Sequence, residues 1–273
     1  MRCRRVAGVR PSGMEMHHVR RGAGAPLVLV HGLGSTWRSW DPVLPALAAH
    51  REVVALDLPG FGATPPLEGE VTVAALADAL VSFLEEQGLR DADLVGSSVG
   101  ARLVLELARR GVGGDVVALD PGGFWDRRQL AVFGATVGAS IRLVRALRPV
   151  LPVLLGNPVT RSALLAQVSP RPWALPPELV LRELRGWAAA PSYDALLDAL
   201  VHGPPQEGAP AGATPGRVVI GWGRRDRVVT PSQAAVATSR FPGAQLHWFE
   251  RCGHFPMWDQ PEETVRLVLA STG

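Results

Sequence analysis

One stretch, residues 93–103, constrains the fold most, because a short apolar run leads through a Gly-x-Ser-x-Gly motif into a helical pattern. A strand that turns sharply into a helix imposes strained backbone angles on the residue at the bend, here Ser98. Gly96 and Gly100 are small enough to let neighbouring backbone pass close by. The first N–H groups of the following helix point to where negative charge would develop on a substrate. The stretch therefore predicts an exposed serine hydroxyl at the top of a sheet.

Apolar runs and helical patterns alternate on both sides of this motif, and the runs are continuous, as in strands buried on both faces of a parallel sheet. Strands are expected at 26–31, 52–57, 93–97, 116–119, 217–223 and 245–249. Helices are expected near 36–49 and 71–87, after Ser98, and from 231 and 261 onward. Two modest N-terminal strands, 4–10 and 14–20, are expected to pair antiparallel. The pattern predicts an α/β fold with a mostly parallel central sheet, and the motif alone would also suit a small-residue turn in a Rossmann-like domain.

The alternation stops after residue 121 and returns near residue 214. Between them, helical segments near 127–148, 158–168, 177–190 and 193–201 are punctuated by proline, with no clear strand. Asn157 and Ser192 are predicted N-caps, and a Pro/Gly/Ala run predicts a linker at 203–216. We expect a core made of 1–121 and 214–273, with a helical cap inserted over 122–213.

Composition limits the class of protein. The 273 residues are 47% hydrophobic, enough for one large α/β domain with an inserted subdomain. No apolar run approaches 18 residues and no apolar segment follows the basic start, so we expect neither a membrane span nor a secretory signal, and a cytoplasmic location. All 28 basic residues are arginine and the net charge is +3. Composition explains this excess, and without a recognised nucleic-acid motif we expect no nucleic-acid partner. Without an apolar run long enough to span, we expect no membrane partner either.

The two cysteines, Cys3 and Cys252, form neither a disulfide framework nor a metal-ligand spacing. Cys252 lies two residues before His254, which would suit thiol catalysis. A small buried residue in a loop is the preferred interpretation.

Three polar residues, Ser98, Asp226 and His254, follow predicted strands. In a parallel sheet the loops after the strands gather at one edge, where ligands bind. Serine needs a base in contact with it, and the base needs an acceptor that fixes its tautomer. The chain order Ser, Asp, His matches α/β hydrolases and neither of two unrelated protease orders.

Five motifs in order carry a resemblance to a known family. They are His-Gly (31–32), Asp-Leu-Pro-Gly-Phe-Gly (57–62), Gly-Ser-Ser-Val-Gly (96–100), Trp-Gly-Arg-Arg-Asp-Arg-Val-Val (222–229) and Cys-Gly-His-Phe-Pro (252–256). The sequence resembles the α/β-hydrolase superfamily, in particular its cap-bearing esterases, cofactor-free haloperoxidases and C–C-bond hydrolases. The resemblance spans nearly the whole chain outside the cap. One departure is Thr64, where many relatives have serine, and it concerns loop structure only.

The resemblance implies Ser98 as nucleophile, His254 as base and then acid, and Asp226 as the carboxylate that orients it. It also implies an oxyanion hole made of the backbone N–H groups of Leu33 and Val99. Nothing suggests a metal or an organic cofactor. Serine at position 98 argues against the dehalogenase and epoxide-hydrolase branches, which use a carboxylate nucleophile.

Aromatic residues of the predicted cap suggest a largely apolar substrate. Phe124, Trp125, Trp173 and Trp187 are the candidate contacts, although each singly is as well explained by packing of the cap on the core. The first hypothesis is hydrolysis of a small ester, lactone, thioester or C–C bond. The second hypothesis is an acyltransferase or perhydrolase that uses the same residues. A non-catalytic receptor of small molecules is less favoured. The sequence does not indicate the oligomeric state.

Other polar residues are expected to serve structure. His31 should close its own loop, Asp57 should anchor the loop that follows it, and Ser97 should point away from the site. Asp120 also follows a strand, but we expect Asp226 to be the partner of His254. The remaining histidines show no partner pattern and are expected at the surface or in packing: His17, His18, His50, His202 and His247.

Overall fold

The computed structural model describes residues 15–273, which are built around a seven-stranded sheet. The strands are β1 (His18–Arg21), β2 (Pro26–Val30), β3 (Glu52–Leu56), β4 (Asp93–Ser97), β5 (Val116–Leu119), β6 (Val218–Gly223) and β7 (Gln245–Phe249). Their order is β1-β3-β2-β4-β5-β6-β7; β1 runs antiparallel to β3 and every other pair is parallel. The mostly parallel sheet is confirmed. The predicted strand at 4–10 lies outside the described residues.

The central strands β2 to β6 are buried on both faces because they are largely apolar, whereas β1 at one edge is half-exposed. In β2, Leu27 and Leu29 enter one core cluster, whereas Val28 and Val30 enter the other. Successive side chains of a strand point to opposite faces, so one continuous apolar run supplies both layers. Helices must therefore cover each face.

Eleven α-helices lie in the described chain. They are α1 (Leu44–Ala48), α2 (Val73–Glu86), α3 (Val99–Arg109), α4 (Arg127–Leu147), α5 (Leu151–Gly156), α6 (Pro158–Leu165), α7 (Pro177–Ala189), α8 (Tyr193–His202), α9 (Ala234–Arg240), α10 (Pro256–Asp259) and α11 (Pro261–Ser271). Short 3-10 helices occur at Trp37–Trp40, Pro172–Ala174 and Pro231–Gln233.

The single helix expected at 36–49 is a 3-10 helix followed by the short α1. Pro42 and Pro45 explain the break, because proline has no N–H to donate and clashes with the preceding turn. Thr72 caps α2 by accepting a hydrogen bond from the Ala75 N–H, and Gly88 follows the helix with a φ of 67°. That glycine occupies the left-handed position predicted for it.

The segment between β5 and β6 is helical, and no strand occurs in it among the described residues, which cover it completely. The four predicted helices are α4, α6, α7 and α8, each within a few residues of the expected bounds. The short α5 was not expected. Asn157 caps α6 by accepting from the Val159 N–H. Ser192 occupies the N-cap position of α8 as predicted, but its side chain makes no cap hydrogen bond.

One helix of the described chain, α4, is long and apolar enough by length and composition to cross a membrane, contrary to the expectation that no such segment exists. Only 17% of its most apolar window is buried. Its buried residues, Phe133, Ile141 and Val144, lie on one side of the helix and face the rest of the protein.

Candidate active site

Ser98 lies at the bend between β4 and α3 with φ 56° and ψ −112°, a conformation that costs a non-glycine residue about 1–3 kcal/mol. The flanking glycines are needed for close approach. A Cβ on Gly96 would lie 2.2 Å from the Gly100 carbonyl oxygen, and one on Gly100 would lie 2.1 Å from the Val30 carbonyl oxygen. The strained bend and the need for small neighbours, predicted from the sequence, are both present.

Ser98, Asp226 and His254 come together in one line of hydrogen bonds. The Ser98 Oγ lies 2.9 Å from His254 Nε2, and His254 Nδ1 lies 2.8 Å from Asp226 Oδ2. Both His254 and Asp226 are almost completely buried, with 2% and 3% of their surface exposed. The carboxylate as acceptor favours the tautomer with its proton on Nδ1, which leaves Nε2 free to accept the serine proton.

Asp226 is itself held by its loop. Its Oδ1 accepts hydrogen bonds from the N–H groups of Val228 and Val229, at 2.7 and 3.0 Å. The residues after β6 therefore fix the carboxylate, so that its other oxygen is directed to His254.

The loop that carries His254 is fastened to the helical insertion. The His254 N–H donates to the Val168 carbonyl at 2.8 Å. The Gly253 N–H donates to Asp259 Oδ2 at 2.8 Å, and the Ser169 hydroxyl donates to Asp259 Oδ1 at 2.6 Å. These contacts position the histidine backbone. No motif in the sequence indicated them.

Asp120 lies beside this site, but within the described chain the His254 ring is hydrogen-bonded to Ser98 and Asp226 and not to Asp120. Asp120 is fully buried, has a φ of 47°, and accepts a hydrogen bond from the Gly223 N–H at 2.8 Å. Burial, and then the negative charge of Asp226, raises the pKa of Asp120 well above its usual range. The hydrogen bond to His254 belongs to Asp226, as the sequence predicted, and burial disfavours the charged form of Asp120.

Among the described residues, one cluster has the composition of a metal site. It consists of Asp120, Asp226 and His254, whose ligand atoms lie within 4.8 Å of one another. Two of these atoms, His254 Nδ1 and Asp226 Oδ2, are already at hydrogen-bond distance from each other. The donor set is therefore explained by the hydrogen-bonded line itself.

Leu33 and Val99 lie next to Ser98 in the wall of the same cavity. Val99 is the first residue of α3, where a backbone N–H has no partner inside the helix. Across residues 15–273, neither N–H is hydrogen-bonded to another protein group. Two free donors therefore lie beside the serine.

A cavity of about 80 Å³ covers Ser98 and His254. Its lining is mainly apolar, and much of it comes from one side of α4: Phe133, Val137, Ile141 and Val144. Ser140 and Gln167 are its polar members apart from the residues of the hydrogen-bonded line and Tyr193. No charged side chain other than His254, if protonated, lines it within the described chain.

Comparison with known proteins agrees with this geometry. The sequence model of the alpha/beta hydrolase family matches residues 27–267, nearly the whole described chain. The chain belongs to the α/β-hydrolase family. This α/β hydrolase is 32% identical over 273 residues to a 2-hydroxy-6-oxo-2,4-heptadienoate hydrolase of Pseudomonas putida, covering 94% of this chain and 92% of that protein.

A second relative is the dihydrolipoyllysine-residue acetyltransferase component of an acetoin cleaving system from Cupriavidus necator. It is 30% identical over 271 residues, which cover 96% of this chain and 67% of the relative. Among solved structures, a thermophilic esterase from Thermogutta terrifontis superimposes with a TM-score of 0.72 at 20% identity, over 94% of this chain and 92% of that one. That similarity shows the fold. The family and its named hydrolases identify this α/β hydrolase as an enzyme.

Of the four aromatic residues expected to contact substrate, only Trp187 lines the cavity of this α/β hydrolase. Phe124 is buried against Phe241, Trp125 stacks on Phe133 at 4.8 Å between ring centroids, and Trp173 is 55% exposed. We therefore correct the expectation for these three. Composition identified the aromatic residues but not the direction in which each one faces.

The residues that line the cavity from α4 were missed. Phe133, Val137, Ile141 and Val144 recur at helical spacing, which places them on one side of the helix. This spacing could have predicted which side of α4 is buried. Aromatic content carries no such information about direction.

The structural roles expected of His31 and Asp57 are confirmed. His31 Nε2 accepts a hydrogen bond from the Leu58 N–H at 2.9 Å, and Asp57 accepts from the N–H groups of Trp37 and Ala63. Ser97 is buried and does not line the cavity. His17 does have a partner, since its Nδ1 lies 2.8 Å from Asp57 Oδ2, which corrects the expectation for that histidine.

Two further histidines also have acidic partners. His247 Nε2 lies 2.9 Å from Glu263, and His202 Nδ1 lies 2.9 Å from Asp198. Sequence spacing does not reveal the His17 and His247 pairs, because their partners lie 40 and 16 residues away. The His202 pair spans one helical turn and was open to prediction.

Cys252 is buried next to the histidine loop, and its thiol lies 3.3 Å from the Gly253 carbonyl. Burial, followed by three nearby carboxyl groups, raises the pKa of the Cys252 thiol well above its usual range. A thiol that stays protonated is a poor nucleophile, so the structure favours the interpretation of Cys252 as a packing residue.

Proposed function

We propose that this enzyme is a serine hydrolase that cleaves a small, largely apolar ester through an acyl-enzyme on Ser98. A lactone, a thioester or a C–C bond would react through the same groups. The observation that carries the proposal is the 2.9 Å hydrogen bond between Ser98 Oγ and His254 Nε2, at the wall of an apolar cavity.

In the acylation step, His254 Nε2 accepts the Ser98 proton as the oxygen attacks the substrate carbonyl carbon. Asp226, bonded to Nδ1, stabilises the imidazolium that forms. The carbonyl oxygen gains negative charge, and the free N–H groups of Leu33 and Val99 are the donors we assign to it. One such donor contributes about 2.7–4 kcal/mol to transition-state stabilisation.

The tetrahedral intermediate collapses when His254 returns the proton to the leaving oxygen and the ester C–O bond breaks. Water then enters, gives its proton to His254 and attacks the acyl carbon. Breakdown of the second intermediate releases the acid and restores the Ser98 hydroxyl. Each step keeps the proton on an atom within hydrogen-bond reach of His254 Nε2.

The cavity lining favours an uncharged acyl group. An anionic acyl group would leave water for an apolar wall in which the described residues offer no arginine, at a cost of several kcal/mol without a partner. An apolar chain gains free energy on the same transfer.

The test is hydrolysis of p-nitrophenyl acetate, butyrate, hexanoate and octanoate by the wild type and by Ser98→Ala. We expect turnover of the uncharged esters that Ser98→Ala lowers by several orders of magnitude. Including 2-hydroxy-6-oxo-2,4-heptadienoate, the substrate in the name of the Pseudomonas putida relative, tests C–C cleavage. Equal rates in wild type and Ser98→Ala would contradict the proposal.

A second candidate is acyl transfer to a nucleophile other than water, which the name of the Cupriavidus necator relative favours. The acyl-enzyme would be the same, and only the group that attacks it would differ. Adding an alcohol, a thiol or hydrogen peroxide to the ester assay and measuring the acylated product against free acid separates the two. Acyl transfer is indicated if the amount of acylated acceptor rises with the acceptor concentration while the rate of p-nitrophenol release is unchanged or faster.

A further inference from the structure

Large apolar side chains are exposed mainly in one segment of the chain. Of the seven in the described chain, six lie within residues 132–173, and Val153 and Val159 are 77% and 75% exposed. We call these six the cap surface: Val132, Leu143, Val150, Val153, Val159 and Trp173. The seventh, Val236, lies on α9 of the core. These six exposed side chains are the candidate for an interaction surface, since large exposed apolar patches mark such sites.

The same part of the chain has a one-sided charge. Residues 127–177 contain seven arginines and not one aspartate or glutamate, whereas the whole chain has a net charge of only +3. The remainder of the chain is therefore net negative. Four of the seven arginines are exposed: Arg127, Arg128, Arg142 and Arg148.

The helix α4 joins these two features. It meets the length and composition of a membrane span, but Phe133, Ile141 and Val144 on its inner side are buried in the protein and line the cavity. Arg145 of α4 is paired with Asp194 of α8 at 2.8 Å. A helix fixed to its protein on one side, and apolar and basic on the other, suits a position in the plane of a membrane interface.

We propose that the cap surface docks this hydrolase onto an anionic lipid surface. The exposed valines, Leu143 and Trp173 would enter the boundary between headgroups and acyl chains. The arginines would lie against lipid phosphates, where each basic residue strengthens binding roughly fivefold. The expectation of no membrane partner rested on the lack of an 18-residue apolar run, which is a criterion for spanning and not for docking on a surface.

A second copy of the chain suits this surface less well. In a two-fold symmetric dimer the same patch meets itself, so each arginine-rich segment would face another one with no acidic residue between 127 and 177 to pair with. Anionic lipid accepts both features at once, because its headgroups are negative and its acyl chains apolar. Charge complementarity therefore selects the lipid.

The proposal does not depend on the reaction at Ser98, since it rests on exposed side chains and charge alone. It does give α4 two sides with different roles. The outer side would lie in the lipid interface, while Val137 and Ile141 on the inner side face the cavity above Ser98.

The test is co-sedimentation of the full chain carrying Ser98→Ala with vesicles of phosphatidylcholine, alone or with one third phosphatidylglycerol. We expect binding to the anionic vesicles, much weaker binding to phosphatidylcholine alone, and weakening as salt rises. The variant Val153→Glu/Val159→Glu should bind at least roughly tenfold more weakly, because two apolar anchors are replaced by acids. Val236→Glu, on α9 outside the cap surface, should bind as the parent does.

A second pair of variants isolates charge. Arg142→Gln/Arg148→Gln should weaken binding to anionic vesicles by roughly tenfold or more, whereas Arg21→Gln/Arg251→Gln, with the same change in net charge, should not. When the same four sets of substitutions are made with Ser98 intact, the proteins should keep the wild-type thermal midpoint and the wild-type hydrolysis of a soluble ester. This result would establish that the variants fold.

Three results would overturn the proposal. The protein could stay in the supernatant with anionic vesicles, or Val236→Glu could weaken binding as much as the double cap variant. Analytical ultracentrifugation could also reveal a dimer that Val153→Glu/Val159→Glu dissociates, without vesicle binding, which would assign the cap surface to a second copy.

Discussion

Glu183 of α7 accepts a hydrogen bond from the Ser35 hydroxyl at 2.7 Å, which ties a buried carboxyl of the insertion to the loop that carries Leu33. The Trp187 indole N–H donates to the same Ser35 oxygen at 3.3 Å. Burial raises the pKa of Glu183 to about 7. The loop beside Ser98 and the helix above it are therefore joined through a group that titrates near neutral pH.

This contact predicts a pH dependence of stability. A free glutamate has a pKa near 4.5, and the folded value is about 7, so the native state binds the proton more tightly than the unfolded state. The stabilisation is complete below pH 4.5 and is lost as the pH rises through 7. Its size is on the order of 3 kcal/mol. Glu183→Gln, which stays neutral and keeps an acceptor for Ser35, should remove this part of the pH dependence.

Urea unfolding at pH 5, 6, 7 and 8 measures the effect, and Glu178→Gln is the control because it is exposed on the same helix. Wild type and Glu178→Gln should lose stability in parallel across this range, while Glu183→Gln should lose less. Identical slopes for wild type and Glu183→Gln would show that the buried carboxyl is ionised throughout.

The two carboxyl groups near His254 predict opposite responses to the same substitution. Asp226→Asn should lower kcat by roughly 10⁴-fold, because an amide no longer selects the tautomer with its proton on Nδ1. Asp120→Asn should change kcat only several-fold, since burial disfavours the charged form of Asp120 and the neutral amide oxygen can still accept from the Gly223 N–H.

Ester hydrolysis by the two purified variants at pH 8 gives the comparison, with circular dichroism and thermal midpoints as the check on folding. A large loss in Asp120→Asn together with a small one in Asp226→Asn would reverse the assignment of the orienting carboxylate.

The apolar cavity predicts a preference for longer acyl chains. Each methylene moved from water into the cavity contributes about 0.8 kcal/mol, so kcat/KM should rise roughly fourfold per CH₂ from acetate until the space is filled. Val137→Phe, which fills the cavity from α4, should lower kcat/KM for hexanoate by roughly tenfold or more relative to acetate. Val132→Phe, on the exposed side of the same helix, should leave the profile unchanged.

The p-nitrophenyl ester series measures this profile for the three proteins under one set of conditions. A flat or falling profile in the wild type, or a preference for a charged acyl group, would contradict an apolar acyl site.

Much of the core could be predicted from sequence because its constraints are local. Five of the seven strands, β2 to β6, follow from largely apolar runs, and the conformation of Ser98 follows from the glycines two residues to either side. The order Ser, Asp, His along the chain was enough to predict the group that meets at the carboxyl edge of the sheet. Each of these signals lies within a few residues of the feature that it predicts.

The contacts between the insertion and the core could not be predicted in this way. The hydrogen bond from the His254 N–H to the Val168 carbonyl joins residues that are 86 positions apart in the sequence. The hydrogen bond between Ser35 and Glu183 spans 148 positions. Such pairs depend on how α6 and α7 sit on the sheet, which neither periodicity nor composition specifies. The same reason explains why three of the four aromatic residues were expected to face the cavity and do not.

The most direct test of the account is covalent labelling of the native enzyme with a fluorophosphonate, followed by peptide mapping by mass spectrometry. We expect one adduct, on Ser98, with loss of ester hydrolysis in proportion to labelling. His254→Ala, which removes the imidazole 2.9 Å from the serine oxygen that we propose as the base, should label far more slowly. An adduct on another residue, or none on folded wild-type protein that still hydrolyses esters, would contradict Ser98 as the nucleophile.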